Sequence, residues 1–268
     1  MQPLRVASFF AGIGGFDLGL ERTGGFVTKA LVEIDPYCQR VLRARFPNAD
    51  IYGDIKEIHG GHFARIDAVC GGFPCQDISG VGHRAGITGA RSGLWSEYWR
   101  IIREIRPEWV IVENVRDLLV RGIDRVLGDL AQIGYDAWWD CVRAAQLGYP
   151  HARDRLILVA YPAALRRLEG ERSAQEWRRL VRARVHGLPS PWARAANDDE
   201  VRSQFVRIVD GVPHRVDRLG ALGNAVIPEI FEMIGSAILK ALRANPRPNP
   251  GDHTINNDGQ PLCHGRVQ

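Results

Sequence analysis

The feature that most constrains this chain is an alternation of short β-rich runs with helix-like stretches over its first two-thirds. That alternation marks strands joined by crossover helices, and so an α/β fold built on a mostly parallel sheet. The strand runs are Arg5–Phe10, Val27–Glu33, Ile51–Gly53, Ala68–Cys70, Trp109–Glu113, Ala137–Val142 and Leu156–Ala160. Between them the pattern predicts helices over Pro36–Phe46, Leu94–Ile105 and Ile123–Ile133. Pro36 suits a first helical turn. Leu94, Tyr98, Ile101, Ile102 and Ile105 fall on one apolar stripe. At 268 residues the chain can bury a sizeable core, as one domain or as a large and a small one.

The character changes after Tyr161-Pro162. Residues 161–197 carry eight arginines against three acids, a local charge of +5 in a chain whose net charge is +4. A basic block on a near-neutral body suggests one face that meets a polyanion. A solvated arginine-rich helix is the plain alternative. A regular region resumes at Leu219, with an amphipathic helix predicted over Pro228–Arg243. From Asn245 onward the chain is rich in Pro, Asn and Gly and reads as a disordered tail. The expected division is a body of residues 1–162 and 219–244, a small basic region at 163–218 and a tail at 245–268. No apolar run approaches a membrane span, and the N-terminus lacks the pattern of a secretory leader. The five cysteines, Cys38, Cys70, Cys75, Cys141 and Cys263, are scattered and contain no CxxC pair. A disulfide framework and a structural zinc site are therefore not expected, and a reducing cytoplasm is.

Two constellations carry chemistry. In the first, Ser8-Phe9-Phe10-Ala11-Gly12-Ile13-Gly14-Gly15 follows a strand and opens a helix. Glycines there allow a tight turn and close backbone approach to a ligand at a helix N-terminus. Glu33 ends the second strand run, 21 residues after Gly12, where a doubly wound fold sets a carboxylate on ribose hydroxyls. Asp54 follows the third strand and could reach a nucleobase. A glycine turn alone would be a weak signal; three such elements at successive strand ends are a stronger one. The turn is not GxGxxG, so a mononucleoside-like ligand such as S-adenosylmethionine fits better than a dinucleotide.

In the second, Asp67-Ala68-Val69-Cys70-Gly71-Gly72-Phe73-Pro74-Cys75 puts a thiol just past a strand's C-terminal end, the edge where open α/β sheets bind ligands. Five glycines between Gln76 and Gly93 imply a loop able to close over a substrate, with a merely flexible surface loop as the alternative. Glu113 ends an apolar strand, where a carboxylate is costly without a partner or a job. Arg153 and Arg155 alternate into the last strand; one could orient that carboxylate while the other meets a base or phosphate.

Taken in order, FAGIGG, GGFPCQ, ENV, YPHARDR and LGNAVIP resemble the cytosine-C5 DNA methyltransferases of bacterial and phage type. The likeness spans roughly residues 4–160 and 219–243. It implies a Rossmann-like fold with a seven-stranded sheet, helices on both faces and a small target-recognition insert. It also implies an enzyme that methylates cytosine C5 in duplex DNA. In that chemistry a thiolate adds to C6 and makes C5 nucleophilic, on a base taken out of the duplex. By this resemblance Cys75 is the nucleophile, Glu113 the acid at N3 and the exocyclic amine, Arg153 a base contact and Arg155 its neighbour. Phe10, Ala11, Gly12, Ile13, Gly15, Glu33, Ile34, Asp54, Ile55, Pro74, Leu94 and Asn224 fall around S-adenosylmethionine. Arg91 is a phosphate contact in the closing loop. Within the basic insert, Arg178, Arg179, Arg182 and Arg184 are the candidate DNA-binding residues. His151 stands where the family usually has glutamine. The implied partners are double-stranded DNA and a cognate restriction endonuclease, with the chain acting as a monomer and without a metal. A tRNA cytosine-C5 methyltransferase of the same family, a catalytically silent nucleic-acid-binding regulator and a small-molecule methyltransferase are the alternatives.

Overall fold

The first strand, β1 (Leu4–Phe9), alternates side chains between two apolar layers: Leu4 and Val6 enter one, Ala7 and Phe9 the other. Burial on both faces is what a central parallel strand requires. The structure, a computed structural model, describes residues 1–74, 93–147, 149, 153–187 and 225–244; of residues 164–168 and 184–187 it describes the backbone only.

The chain continues through α1 (Gly15–Arg22), β2 (Phe26–Val32), α2 (Pro36–Arg45), β3 (Asp50–Tyr52), β4 (Ala68–Gly71), α3 (Leu94–Ile105), β5 (Trp109–Val115), α4 (Leu118–Arg121), α5 (Ile123–Gln132), β6 (Tyr135–Arg143), β7 (Asp154–Pro162), α6 (Ala163–Gly187) and α7 (Pro228–Arg243). Among the described residues the strands form one seven-stranded sheet in the order β3-β2-β1-β4-β5-β7-β6. Strands β1 to β5 pair in parallel, and β7 runs antiparallel to both its neighbours, β5 and β6. The expected mostly parallel seven-stranded sheet with helices on both faces is therefore present, with one reversed strand.

Helices cover both faces. Phe16 and Leu20 of α1, Trp177 of α6 and Phe231, Ile234 and Ile238 of α7 pack on one side. Trp95, Tyr98, Ile101 and Ile102 of α3 and Val126 and Leu130 of α5 pack on the other. The start of α2 is fixed by Asp35, whose carboxylate accepts the backbone N–H groups of Tyr37 and Cys38. Helices α3 and α5 are tied together by Asp129, which accepts the indole N–H of Trp95 at 2.8 Å and an N–H of Arg125 at 2.7 Å.

Residues 163–187, expected to begin the basic recognition region, form α6, and among its described side chains Glu169, Gly170, Ser173, Ala174 and Trp177 are buried. The helix meets β6, β7 and α7; the Trp138 indole N–H donates to the Ser173 hydroxyl at 3.0 Å. Residues 188–218 of that region, and the tail from Asn245, lie outside the described residues. No helix among the described residues is long and apolar enough to cross a membrane.

Candidate active site

The parallel strands β1 to β5 share one carboxyl edge, and the sequence-predicted residues gather along it. At the end of β1 the chain turns sharply: Phe10 has φ +53° and Gly12 φ +56°. A side chain is rarely found in this left-handed region, which a glycine enters without cost. The space where a Cβ of Gly12 would stand is empty to 4 Å. Glu33, one residue past β2, closes this turn from the side. Its Oε2 accepts the Gly12 N–H at 2.7 Å, and its Oε1 accepts the Asp35 N–H at 2.9 Å. Next to it Ile34 is 69% exposed, an apolar side chain offered to solvent at a strand end. Asp54, past β3, caps a short 3-10 turn through the Lys56 N–H at 3.0 Å, and Ile55 is buried beneath it.

Phe10 is half-buried, edge-on to the ring of Tyr98. Ala11 is buried and donates its N–H to the Val32 carbonyl. Ile13 and Leu94 are half-buried, Leu94 at the first position of α3. Gly15 is pressed against Val226: a Cβ there would fall 2.8 Å from Cγ2 of Val226 and 2.9 Å from its carbonyl oxygen. Asn224, two residues earlier, lies outside the described residues, and the chain just after it therefore touches the start of α1.

At the middle of the edge stands Glu113, in β5 and only 8% exposed. Arg155 of β7 approaches its Oε1 to 2.8 Å and Arg153 to 3.6 Å. Because β7 is antiparallel, its first residues arrive at the edge where β5 ends, and this is how Arg155 of β7 and Arg153, just ahead of it and two residues away, reach one carboxylate. Burial pushes the Glu113 carboxyl above the usual carboxylate range, while the two arginines pull it down without cancelling the rise. A narrow cleft opens on Glu113, Arg153 and Arg155, and Val226, Ile227, Ile230 and Phe231 line it from the side of α7.

Phe73 and Pro74 follow β4, next to β5 in the sheet. Asn114 donates from Nδ2 to the Phe73 carbonyl at 3.1 Å, binding the Gly-Gly-Phe-Pro turn to the end of β5. Cys75 and Arg91 lie outside the described residues. The turn that leads to Cys75 is thus anchored two residues ahead of it. Gly72 is required by close approach: its Cβ would lie 2.9 Å from Oε2 of Glu113. Of the candidate DNA-binding residues, Arg178, Arg179 and Arg182 are exposed on α6, and the side chain of Arg184 is not described. Arg179 is engaged by Glu176, which also meets Lys240 of α7 at 2.8 Å. Among the described residues no group of three or more His, Cys, Asp or Glu is placed to hold a metal ion.

The structure brings Gly12, Glu33, Ile34, Asp54 and Pro74 to one edge with Glu113, Arg153 and Arg155. The sequence reading placed Gly72 in the turn before Cys75 but not against Glu113, gave Asn114 no role of its own, and did not set the α7 wall beside the site. Asn114 was within reach, since it follows Glu113 directly. The wall comes from residues more than 100 positions away, and no local spacing marks it.

A family model for C-5 cytosine-specific DNA methylases matches residues 4–206. The chain is 37% identical over 165 residues to the Type II methyltransferase M2.BsuMI of Bacillus subtilis, covering 59% of this chain and 42% of that protein. It is 32% identical over 166 residues to the Type II methyltransferase M.NgoPII of Neisseria gonorrhoeae, covering 60% and 48%. The chain thus spans less than half the length of these relatives. A crystal structure described as that of a DNA modification methyltransferase encoded within an E. coli prophage superposes with a TM-score of 0.51 at 28% identity, over 61% of this chain and 48% of that one.

Proposed function

Because the chain belongs to the C-5 cytosine-specific DNA methylase family, we propose that it transfers a methyl group from S-adenosylmethionine to C5 of a cytosine turned out of duplex DNA, with Cys75 as the attacking thiol. The observation that carries this reading is Glu113: a buried carboxylate, paired with Arg155, beside the turn that leads to Cys75. As the Cys75 thiolate forms its bond to C6, negative charge moves into the ring towards N3. A carboxyl whose proton is held by burial can share that proton with N3 and accept from the exocyclic amine. Arg155 fixes the carboxyl at 2.8 Å, and Arg153, at 3.6 Å from it, would meet the base. The bond to Cys75 breaks again when the C5 proton leaves, which restores the aromatic ring and the thiolate.

The Gly12 turn fits the cofactor. Phe10, a non-glycine residue at φ +53°, carries backbone strain of the kind that gathers at ligand sites, and the space where a Cβ of Gly12 would stand is open. Glu33 would meet the ribose, Asp54 and Ile55 the base edge, and exposed Ile34 the base face. Phe10, Ala11, Ile13, Gly15, Pro74, Leu94 and Asn224 would complete the pocket. When bound, S-adenosylmethionine supplies an electrophilic methyl group. We assign duplex DNA as the substrate of a monomer, held in part by Arg91, Arg178, Arg179, Arg182 and Arg184, with a cognate restriction endonuclease as its partner.

Duplex DNA containing 5-fluorocytosine tests this directly, since fluorine at C5 blocks the final elimination and leaves the enzyme bonded to the base. The parent should form an adduct that survives denaturation; Cys75→Ser should form none, and Glu113→Gln should form it far more slowly. Adduct formation by Cys75→Ser would remove the nucleophile assignment. Methyl transfer to tRNA with none to duplex DNA would replace the substrate.

A further inference from the structure

A second charged group sits at the same edge, on the opposite face of the sheet. Asp154, the first residue of β7, accepts from Arg116 Nη1 at 3.0 Å and from Arg143 Nε at 3.3 Å. Arg116 directly follows β5, Arg143 ends β6 and is the register partner of Asp154, and Val115 is the register partner of Arg155. The three charged residues therefore form a row across the ends of β5, β7 and β6. Side chains alternate along a strand, so Arg155 turns to Glu113 on one face while Asp154 turns to Arg116 and Arg143 on the other.

From this geometry we infer that Arg116 and Arg143, held by Asp154, form a nucleic-acid phosphate site at the sheet edge that carries Glu113, taking a phosphodiester of the bound DNA. The inference rests on the proposed DNA substrate. Three observations support it. The carboxylate is largely enclosed, with 18% side-chain exposure, whereas Arg116 and Arg143 are 54% and 61% exposed. The donors used are complementary. Arg116 spends Nη1 and keeps its Nε–Nη2 edge, and Arg143 spends Nε and keeps its Nη1–Nη2 edge. Each guanidinium thus retains a two-donor edge of the kind that matches two phosphate oxygens. Finally, the edge is cationic: Arg116, Arg143, Arg153 and Arg155 stand against Asp154 and Glu113. Ion pairs this exposed contribute little to stability, which leaves pre-organisation of the arginines as the consequence of the arrangement. Arg116 is three residues beyond Glu113, about 10 Å along an extended chain, so the row stands at the sheet edge that carries Glu113. Contacts to phosphate position a protein on the duplex without reading sequence.

The test is the salt dependence of binding. The parent's methylated site is first mapped by bisulfite sequencing, and a duplex carrying it is titrated by fluorescence anisotropy from about 50 to about 200 mM salt. Arg116→Gln and Arg143→Gln should each lower the slope of log affinity against log salt by about one and weaken binding on the order of five-fold. Arg116→Lys, which keeps the charge, should restore the slope. Arg65→Gln, 71% exposed next to the start of β4 at the opposite edge of the sheet, serves as the charge-matched control and should bind like the parent. Parental slopes in both glutamine variants, or an equal loss in the control, would overturn the phosphate site and leave the proposed function standing. If the parent modifies no DNA and no site can be mapped, both fall together.

Discussion

Glu113 and Asp17 are both buried carboxylates, and they meet the cost of burial differently. Glu113 has two arginines beside it. Asp17, fully buried in the first turn of α1, is met by the hydroxyls of Ser8 and Thr28 and by the like charge of Glu21, and burial above all lifts its pKa from 3.8 to about 7. The direction of the consequence follows from proton counting. Between these two values the folded protein holds a proton that the unfolded chain has released, so stability falls as pH rises from about 4 to about 7. A shift of that size corresponds to about 4 kcal/mol between the two ends of the window. Asp17→Asn keeps the shape and the acceptor for Thr28 but cannot ionise. Urea unfolding should find it more stable than the parent at pH 8, with the advantage vanishing towards pH 4. Parallel stability curves for the two proteins across that range would show that Asp17 is not the titrating group.

At the scale of elements, the two parallel strands β4 and β5 end side by side, and Gly72 is the point where one end makes room for the other. A methyl group at Gly72 would push on a carboxylate that Arg155 already holds, and displacements well under 1 Å matter at a reacting centre. Gly72→Ala should therefore cut the methylation rate between about ten- and a hundred-fold, while equilibrium binding of S-adenosylmethionine, measured by calorimetry, stays at the parental value. A parental rate would mean that Glu113 shifts without consequence. The strands and four of the helices were legible because their apolar runs are long and cleanly periodic; Leu94–Ile105 and Pro228–Arg243 match residue for residue. The reversed direction of β7 was not read, although the means were present. Only ten residues separate β6 from β7, fewer than a parallel crossover needs. Helix α6 was read only as the alternative of a solvated arginine-rich helix, and its packing on the body was not legible. Among its described side chains the buried ones are Glu169, Gly170, Ser173, Ala174 and Trp177, and four of these five residues carry no strong apolar signal. At the site, Glu113 and the arginines were legible because they sit in short motifs at strand ends. That Asp154 faces away from Glu113 while its two neighbours face it depends on where β7 enters the sheet.

For the whole molecule, the question is where the catalytic body ends. The basic composition from residue 163 onward suggests a separate module, whereas α6 shares a core with β6, β7 and α7. Trp177 is fully buried, 6.0 Å from the ring of Trp138 in β6, and Glu176 next to it bridges to Lys240 of α7. A tryptophan in such a place holds helices to sheet, and its removal leaves a large cavity. We therefore propose that α6 unfolds together with the sheet. Trp177→Ala should lower stability by about 3–5 kcal/mol, and the loss should appear in one transition that far-UV circular dichroism and tryptophan fluorescence report with the same midpoint. A module with its own stability would behave otherwise: the sheet would keep the parental midpoint, and a second, earlier transition would account for α6. In the single-transition case, α6 carries its exposed arginines Arg178, Arg179 and Arg182 as a fixed part of the body. Their positions relative to the Glu113 cleft are then set by the same core that orients α7, whose Ile230 and Phe231 line that cleft.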